Sequence, residues 1–75
     1  MADLTDPAVL RDIFTYHAPT PDQIPKYNAI RDAAFEFAKV IVANTPKCAD
    51  QSVAVRLIRE CSMVANASIA LKGLV

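Results

Sequence analysis

At residues 44–47 the sequence reads Asn44-Thr45-Pro46-Lys47, and no regular helix runs through it. Pro46 brings no backbone N–H, and its ring pushes Thr45 away from the helical conformation. On either side the pattern is helical. Upstream, Lys26, Ile30, Ala33, Phe37 and Ile41 recur at three or four residues after a first-turn proline, Pro25. This predicts a helix over about 25–44, roughly 30 Å long. Downstream, Thr45 suits a cap and Pro46 a first position for a helix in which Val53, Leu57, Cys61, Val64 and Ala65 (or Ser68) keep the same spacing. Gly73 is its stop signal and Lys72 suits the negative end of its dipole, so this helix is expected over about 46–72, roughly 35 to 40 Å long. With so short a break between them, the two helices must fold back on each other.

A shorter helix is expected ahead of this hairpin. Asp6 offers a capping carboxylate, Pro7 fits the first turn, and Val9, Leu10, Ile13 and Phe14 repeat at three and four, giving a helix over about 7–14. The segment 15–25 reads Thr-Tyr-His-Ala-Pro-Thr-Pro-Asp-Gln-Ile-Pro. Its three prolines forbid a continuous helix, and without glycine it is a stiff lip or lid rather than a swinging loop. The expected fold is all-α: a short N-terminal helix and a long antiparallel two-helix hairpin, forming a single domain over 1–75.

Hydrophobic residues make up 53% of the 75 residues and the mean hydropathy is +0.23, more apolar material than a hairpin of this length can hide. The surplus is expected to be buried between chains, as a homo-oligomer. Phe35 and Val42 lie off the Ile30, Phe37, Ile41 face, and Val55 and Met63 lie off the Leu57, Val64 face, so these four residues are candidates for contact with neighbours. The alternative is a monomeric three-helix bundle in which the first helix covers the second face. Alanine, at positions 33, 34, 38, 43, 54, 65, 67 and 70, favours helix and lets backbones approach closely.

Eight Lys and Arg balance eight Asp and Glu, so no global positive field draws the chain onto DNA, RNA or an anionic membrane. A small phosphorylated ligand needs only a local cluster of donors and remains open. Carboxylates such as Asp32, Glu36 and Glu60 lie among Arg31, Lys39, Arg56 and Arg59 and read as solvated helix faces with weak ion pairs. The beginning of the sequence lacks a charged segment followed by an apolar run, Ala2 stands where myristoylation needs glycine, and the longest apolar stretches are too short to span a bilayer. Cys48 and Cys61 read as free thiols of a cytosolic protein. With one histidine, His17, and no ligands near either cysteine, no metal site is expected. Cys61 falls on or beside an apolar helix face, where cysteine behaves as a small hydrophobe rather than a nucleophile. Gly73 is the single glycine, which excludes a Gly-rich phosphate loop. No catalytic residues and no cofactor are expected.

One local constellation joins aromatic rings to positive charge: Tyr16 and His17 in the proline loop, then Lys26, Tyr27 and Arg31 at the start of the second helix. A planar base can stack on tyrosine while Arg or Lys meets phosphate oxygens, which is the chemistry of nucleotide recognition. The ordinary alternative makes Tyr16 and Tyr27 packing residues and Arg31 a surface ion pair.

These residues, Tyr16-His17-Ala18-Pro19, Gln23, Tyr27 and Ile30-Arg31, are followed by Asn44-Thr45-Pro46, Ala54, Leu57 and the run Met63-Val64-Ala65-Asn66-Ala67-Ser68-Ile69-Ala70. In this order they resemble the phage cyclic-oligonucleotide sponges, whose helical hairpin domain is shared by anti-CBASS proteins and anti-Thoeris sponges. The likeness runs from Phe14 to Lys72. It implies a compact homohexamer that sequesters cyclic dinucleotides, cyclic GMP-AMP (cGAMP) among them, in pockets between chains. Some members also hold cyclic trinucleotides near three-fold axes. By the same resemblance Tyr16 stacks on a base, Arg31 meets the phosphates, His17 belongs to the covering loop and Lys26 and Tyr27 complete the dinucleotide site. Lys72 is the candidate trinucleotide contact, and Asn66 fixes helix packing. The implied setting is the cytoplasm of an infected bacterium, where immune signals are withheld from CBASS effectors. Two departures stand out. Ala49-Asp50-Gln51-Ser52 replaces an acidic-rich helix start, and Val64 stands where the family often carries tryptophan, which bears on the oligomer interface. The rival from the residues alone is a helical hairpin that binds protein or serves structure and has no nucleotide ligand; a phosphodiesterase lacks any metal site or nucleophile here.

Overall fold

Each helix boundary has a local cause. The computed structural model describes residues 2–75, which form α1 (Pro7–Ile13), α2 (Ile24–Asn44) and α3 (Ala49–Ala70). Asp6 caps α1, its carboxylate accepting from the Ala8 N–H at 2.9 Å, with Pro7 in the first turn. Gln23 precedes α2, which begins at Ile24, one residue earlier than the sequence pattern places it, with Pro25 in its first turn. The fold is all-α, with the hairpin formed by α2 and α3. No helix among the described residues is long and apolar enough to cross a membrane.

Thr45 closes α2 instead of opening α3, which corrects the expected start at Pro46. Ahead of the proline it is extended, at φ −128° and ψ 151°, and its hydroxyl donates back to the Ile41 carbonyl at 2.6 Å. The Gln51 amide then donates to the Thr45 carbonyl at 3.1 Å and to its hydroxyl oxygen at 3.0 Å, so a side chain from α3 satisfies the end of α2. Four residues, 45–48, are spent on the corner, and α3 starts at Ala49.

The other end of α3 is corrected by two residues. The helix stops at Ala70 because the Gly73 N–H donates to the Ser68 carbonyl at 2.9 Å and the Lys72 N–H to that of Ile69 at 3.1 Å. This doubly bonded closure places Lys72, as well as Gly73, in the left-handed region, at φ 53° and 75°. Lys72 therefore lies beyond the helix, in a conformation that non-glycine residues adopt at a cost.

The seam between α2 and α3 runs through half-buried Ile30, Ala34, Ala38 and Ile41 on one side and Ala54, Ile58, Ser62, Ala65 and Ile69 on the other. This corrects the faces expected from the large apolar residues: Phe37, Val53, Leu57 and Val64 stand exposed beside the seam, Val64 at 71%. Small residues let the backbones approach and push large side chains to the flanks. Among the described residues no apolar side chain is fully buried.

α1 makes no helix-to-helix contact with the hairpin, so it does not supply the third layer that a monomeric bundle needs. The molecule measures 47 × 29 × 18 Å, with a radius of gyration of 15.6 Å against about 11 Å for a compact chain of this length. It exposes 5914 Å², where a compact monomer of this mass exposes roughly 4,500 Å².

Candidate functional site

Ile24, Tyr27, Asn28 and Arg31 fall at i, i+3, i+4 and i+7, so they form one stripe along the first two turns of α2. His17 and Pro19 lie against this stripe and close a hollow of about 250 Å³. Proline and isoleucine give it apolar walls; an imidazole, a phenol, a carboxamide and a guanidinium supply the polar groups.

The loop that forms the outer wall is tied at both ends. The Asp12 carbonyl at the end of α1 accepts from His17 Nε2 at 2.8 Å, and the Asp12 carboxylate lies 3.5 Å from the same nitrogen. Three residues on, the Thr20 N–H donates to Gln23 Oε1 at 3.0 Å, while the Gln23 amide donates across the hairpin to the Ile69 carbonyl at 3.3 Å. Gln23, 8% exposed, is the one buried residue among those described. A polar side chain thus anchors loop, α2 and α3 at one point.

Arg31 lies over the Tyr27 ring, its guanidinium carbon 5.8 Å from the centroid, at the outer edge of cation–π range. Among the described residues it has no carboxylate partner, so the surface ion pair read from the sequence does not form. Its charge stays free for an anion in the hollow. The pair present on this helix is Lys39 with Glu36, at 3.4 Å.

Of the five residues expected at this site, the fold brings His17, Tyr27 and Arg31 together and leaves two outside. Tyr16, 82% exposed, projects beside the hollow without lining it, because neighbours in an extended loop point to opposite sides. Lys26 is one position off the stripe and belongs to a second group with Asp22 and Lys72. The Asp22 carboxyl is held below its ordinary value first by the Thr20 hydroxyl, next by its own backbone N–H, and after these by Lys26 and Lys72. Pro19, Ile24 and Asn28 line the hollow without having been expected there; for the polar one, Asn28, the i+4 relation to Ile24 and the i+3 relation to Arg31 are the available signal. Asn66 has a side-chain oxygen that is buried and finds no donor among the described residues. Among the described residues no three His, Cys, Asp or Glu side chains gather as metal ligands do.

A larger, almost wholly apolar groove of about 560 Å³ runs along the other flank of the seam, lined by Ile30, Phe37, Ile41, Leu57, Ile58 and Cys61 among others. On α2 the 100° step between residues puts Phe37 and Arg31 on opposite flanks. Groove and hollow are separate surfaces.

Residues 6–70, spanning all three helices, match the family described as Acb2/Tad1, hairpin domain. The chain belongs to the Acb2/Tad1 hairpin family. No curated protein and no solved structure matches it. The Acb2/Tad1 hairpin belongs to the anti-CBASS and anti-Thoeris sponges, which sequester ligands rather than transform them, and membership is consistent with a nucleotide-sponge role. The matched span of this Acb2/Tad1 hairpin includes the hollow, the groove and the Gln23 anchor, while Lys72 lies beyond it.

Proposed function

We propose that the protein is a non-enzymatic sponge that binds cyclic dinucleotides, cGAMP among them, and withholds them from CBASS effectors in the cytoplasm of an infected bacterium. The observation that carries this reading is an unpaired guanidinium laid over a tyrosine ring and facing a loop already fixed in place. Arg31 meets the phosphates, Tyr27 and the solvent-exposed Tyr16 offer aromatic faces to the bases, and His17 and Pro19 cover the ligand. Sequestration needs affinity and no turnover, so a rigid, pre-shaped wall serves it well.

A homo-oligomer, in the family pattern a hexamer, completes the site. The chain exposes about 1,400 Å² more than a compact monomer, beyond the roughly 800 Å² that each partner buries in a standard interface. Apolar residues on both flanks of the seam, Phe37 and Leu57 on one and Phe35 and Val42 on the other, suit more than one contact. Lys72, held in a costly backbone conformation, remains the candidate contact for a cyclic trinucleotide. The same exposed flanks also fit a hairpin that grips another protein.

Calorimetric titration with cGAMP, followed by heat release and chromatography of the bound ligand, separates these readings. A sponge binds near one ligand per two chains and returns it intact. Arg31→Ala weakens binding by about tenfold or more, as expected for a lost charge-assisted bond, with the assembly unchanged. Absence of heat with every cyclic di- or trinucleotide leaves the protein-binding hairpin as the better account, and recovery of cleaved nucleotide contradicts a sponge.

A further inference from the structure

Within the hollow, Asn28 differs from the other amide side chains. Gln23, Asn44 and Gln51 each spend their amide group on a backbone carbonyl, and Asn66 is folded into the packed part of the molecule. The Asn28 side chain makes no hydrogen bond to the described residues, yet it lines the hollow between the Ile24 and Arg31 turns of α2. It is a short, stiff arm carrying one acceptor and an N–H donor side by side, next to a long arm carrying positive charge.

We infer that Asn28 selects the base of the bound nucleotide and favours adenine over guanine. The inference rests on the nucleotide-binding reading of the hollow and adds which ligands it prefers. Arg31 discriminates nothing, because every cyclic dinucleotide carries the same phosphates. A carboxamide does discriminate: its donor and acceptor match adenine N7 and the N6 amino group together, whereas the corresponding edge of guanine presents two acceptors. Pro19 and Ile24 give the base apolar walls to pack against. A good two-point pairing of this kind discriminates by about tenfold or more between bases.

The test compares cyclic di-AMP with cyclic di-GMP on wild type, Asn28→Ala and Asn28→Asp, by calorimetric titration of the assembled protein. Wild type is expected to bind cyclic di-AMP at least about tenfold more tightly. Asn28→Ala brings the two affinities close to equality. Asn28→Asp, acceptor only, keeps the bond from the adenine N6 amino group but sets a carboxylate oxygen against N7, so the preference shrinks. Its repulsion of phosphate weakens both ligands alike and cancels in the ratio. Binding by wild type with a ratio unchanged across the variants overturns the role of Asn28 and leaves the sponge standing. No binding of either ligand by wild type overturns both.

Discussion

Along the seam, Ile30, Ala34, Ala38 and Ile41 meet Ala54, Ile58, Ser62 and Ala65 through a repeat of three and four. At the open end, the loop that carries His17 and Pro19 is held beside the α2 stripe of Asn28 and Arg31 by single hydrogen bonds, between His17 and Asp12, Thr20 and Gln23, and Gln23 and Ile69. The first region is redundant: many small contacts share the load, and losing one leaves the rest in register. The second hangs on Gln23, whose amide spans loop and α3. A periodic scaffold can therefore carry a site whose shape depends on a few polar anchors, while its apolar flanks stay exposed.

The largest expected effect comes from Leu57→Asp, on the groove flank. In an isolated hairpin Leu57 is exposed, and such a change shifts stability by only about half a kcal/mol. In an assembly that covers the groove it places a charge in an apolar contact, so sedimentation velocity should show dissociation to smaller species. An unchanged sedimentation coefficient would put the oligomer contact elsewhere.

Next in size is Gln23→Ala, which leaves the Thr20 N–H without its partner and frees the loop from α3. A loss of about 1–3 kcal/mol in chemical denaturation is expected. Affinity for cGAMP should fall with it, although Gln23 does not line the hollow. Full affinity in this variant would show that the ligand, not the anchor, shapes the loop.

The smallest effect is Lys72→Gly. Removing the side chain relieves the left-handed backbone while loosening the unfolded chain, for a net gain of at most about 1 kcal/mol. A rise in melting temperature with lost trinucleotide affinity would mark Lys72 as a residue kept for binding. Lower stability would assign it a structural part beside Asp22.

The hairpin was legible because its signals are local: Pro46 breaks the chain, Asp6 and Pro7 open α1, and Gly73 closes α3. The sealed face was not, because apolar size points to Phe37, Leu57 and Val64, whereas close backbone approach selects alanine and serine and sends the large side chains outward. Thr45 misled for a similar reason, since its hydroxyl serves either end of a helix and Gln51 settles the matter from nine residues beyond Val42, the first carbonyl it reaches. At the site, Tyr27 and Arg31 were readable from their shared stripe. Asn28 carries no charge or ring to draw notice, and Tyr16 stands beside the hollow rather than in its lining.

The central claim is an assembled protein that holds cyclic dinucleotide without altering it, and native mass spectrometry after mixing with cGAMP reads assembly, stoichiometry and ligand mass at once. The account predicts a hexamer carrying one ligand of unchanged mass for every two chains. A monomer without ligand, or an assembly carrying nucleotide of lower mass, would contradict it.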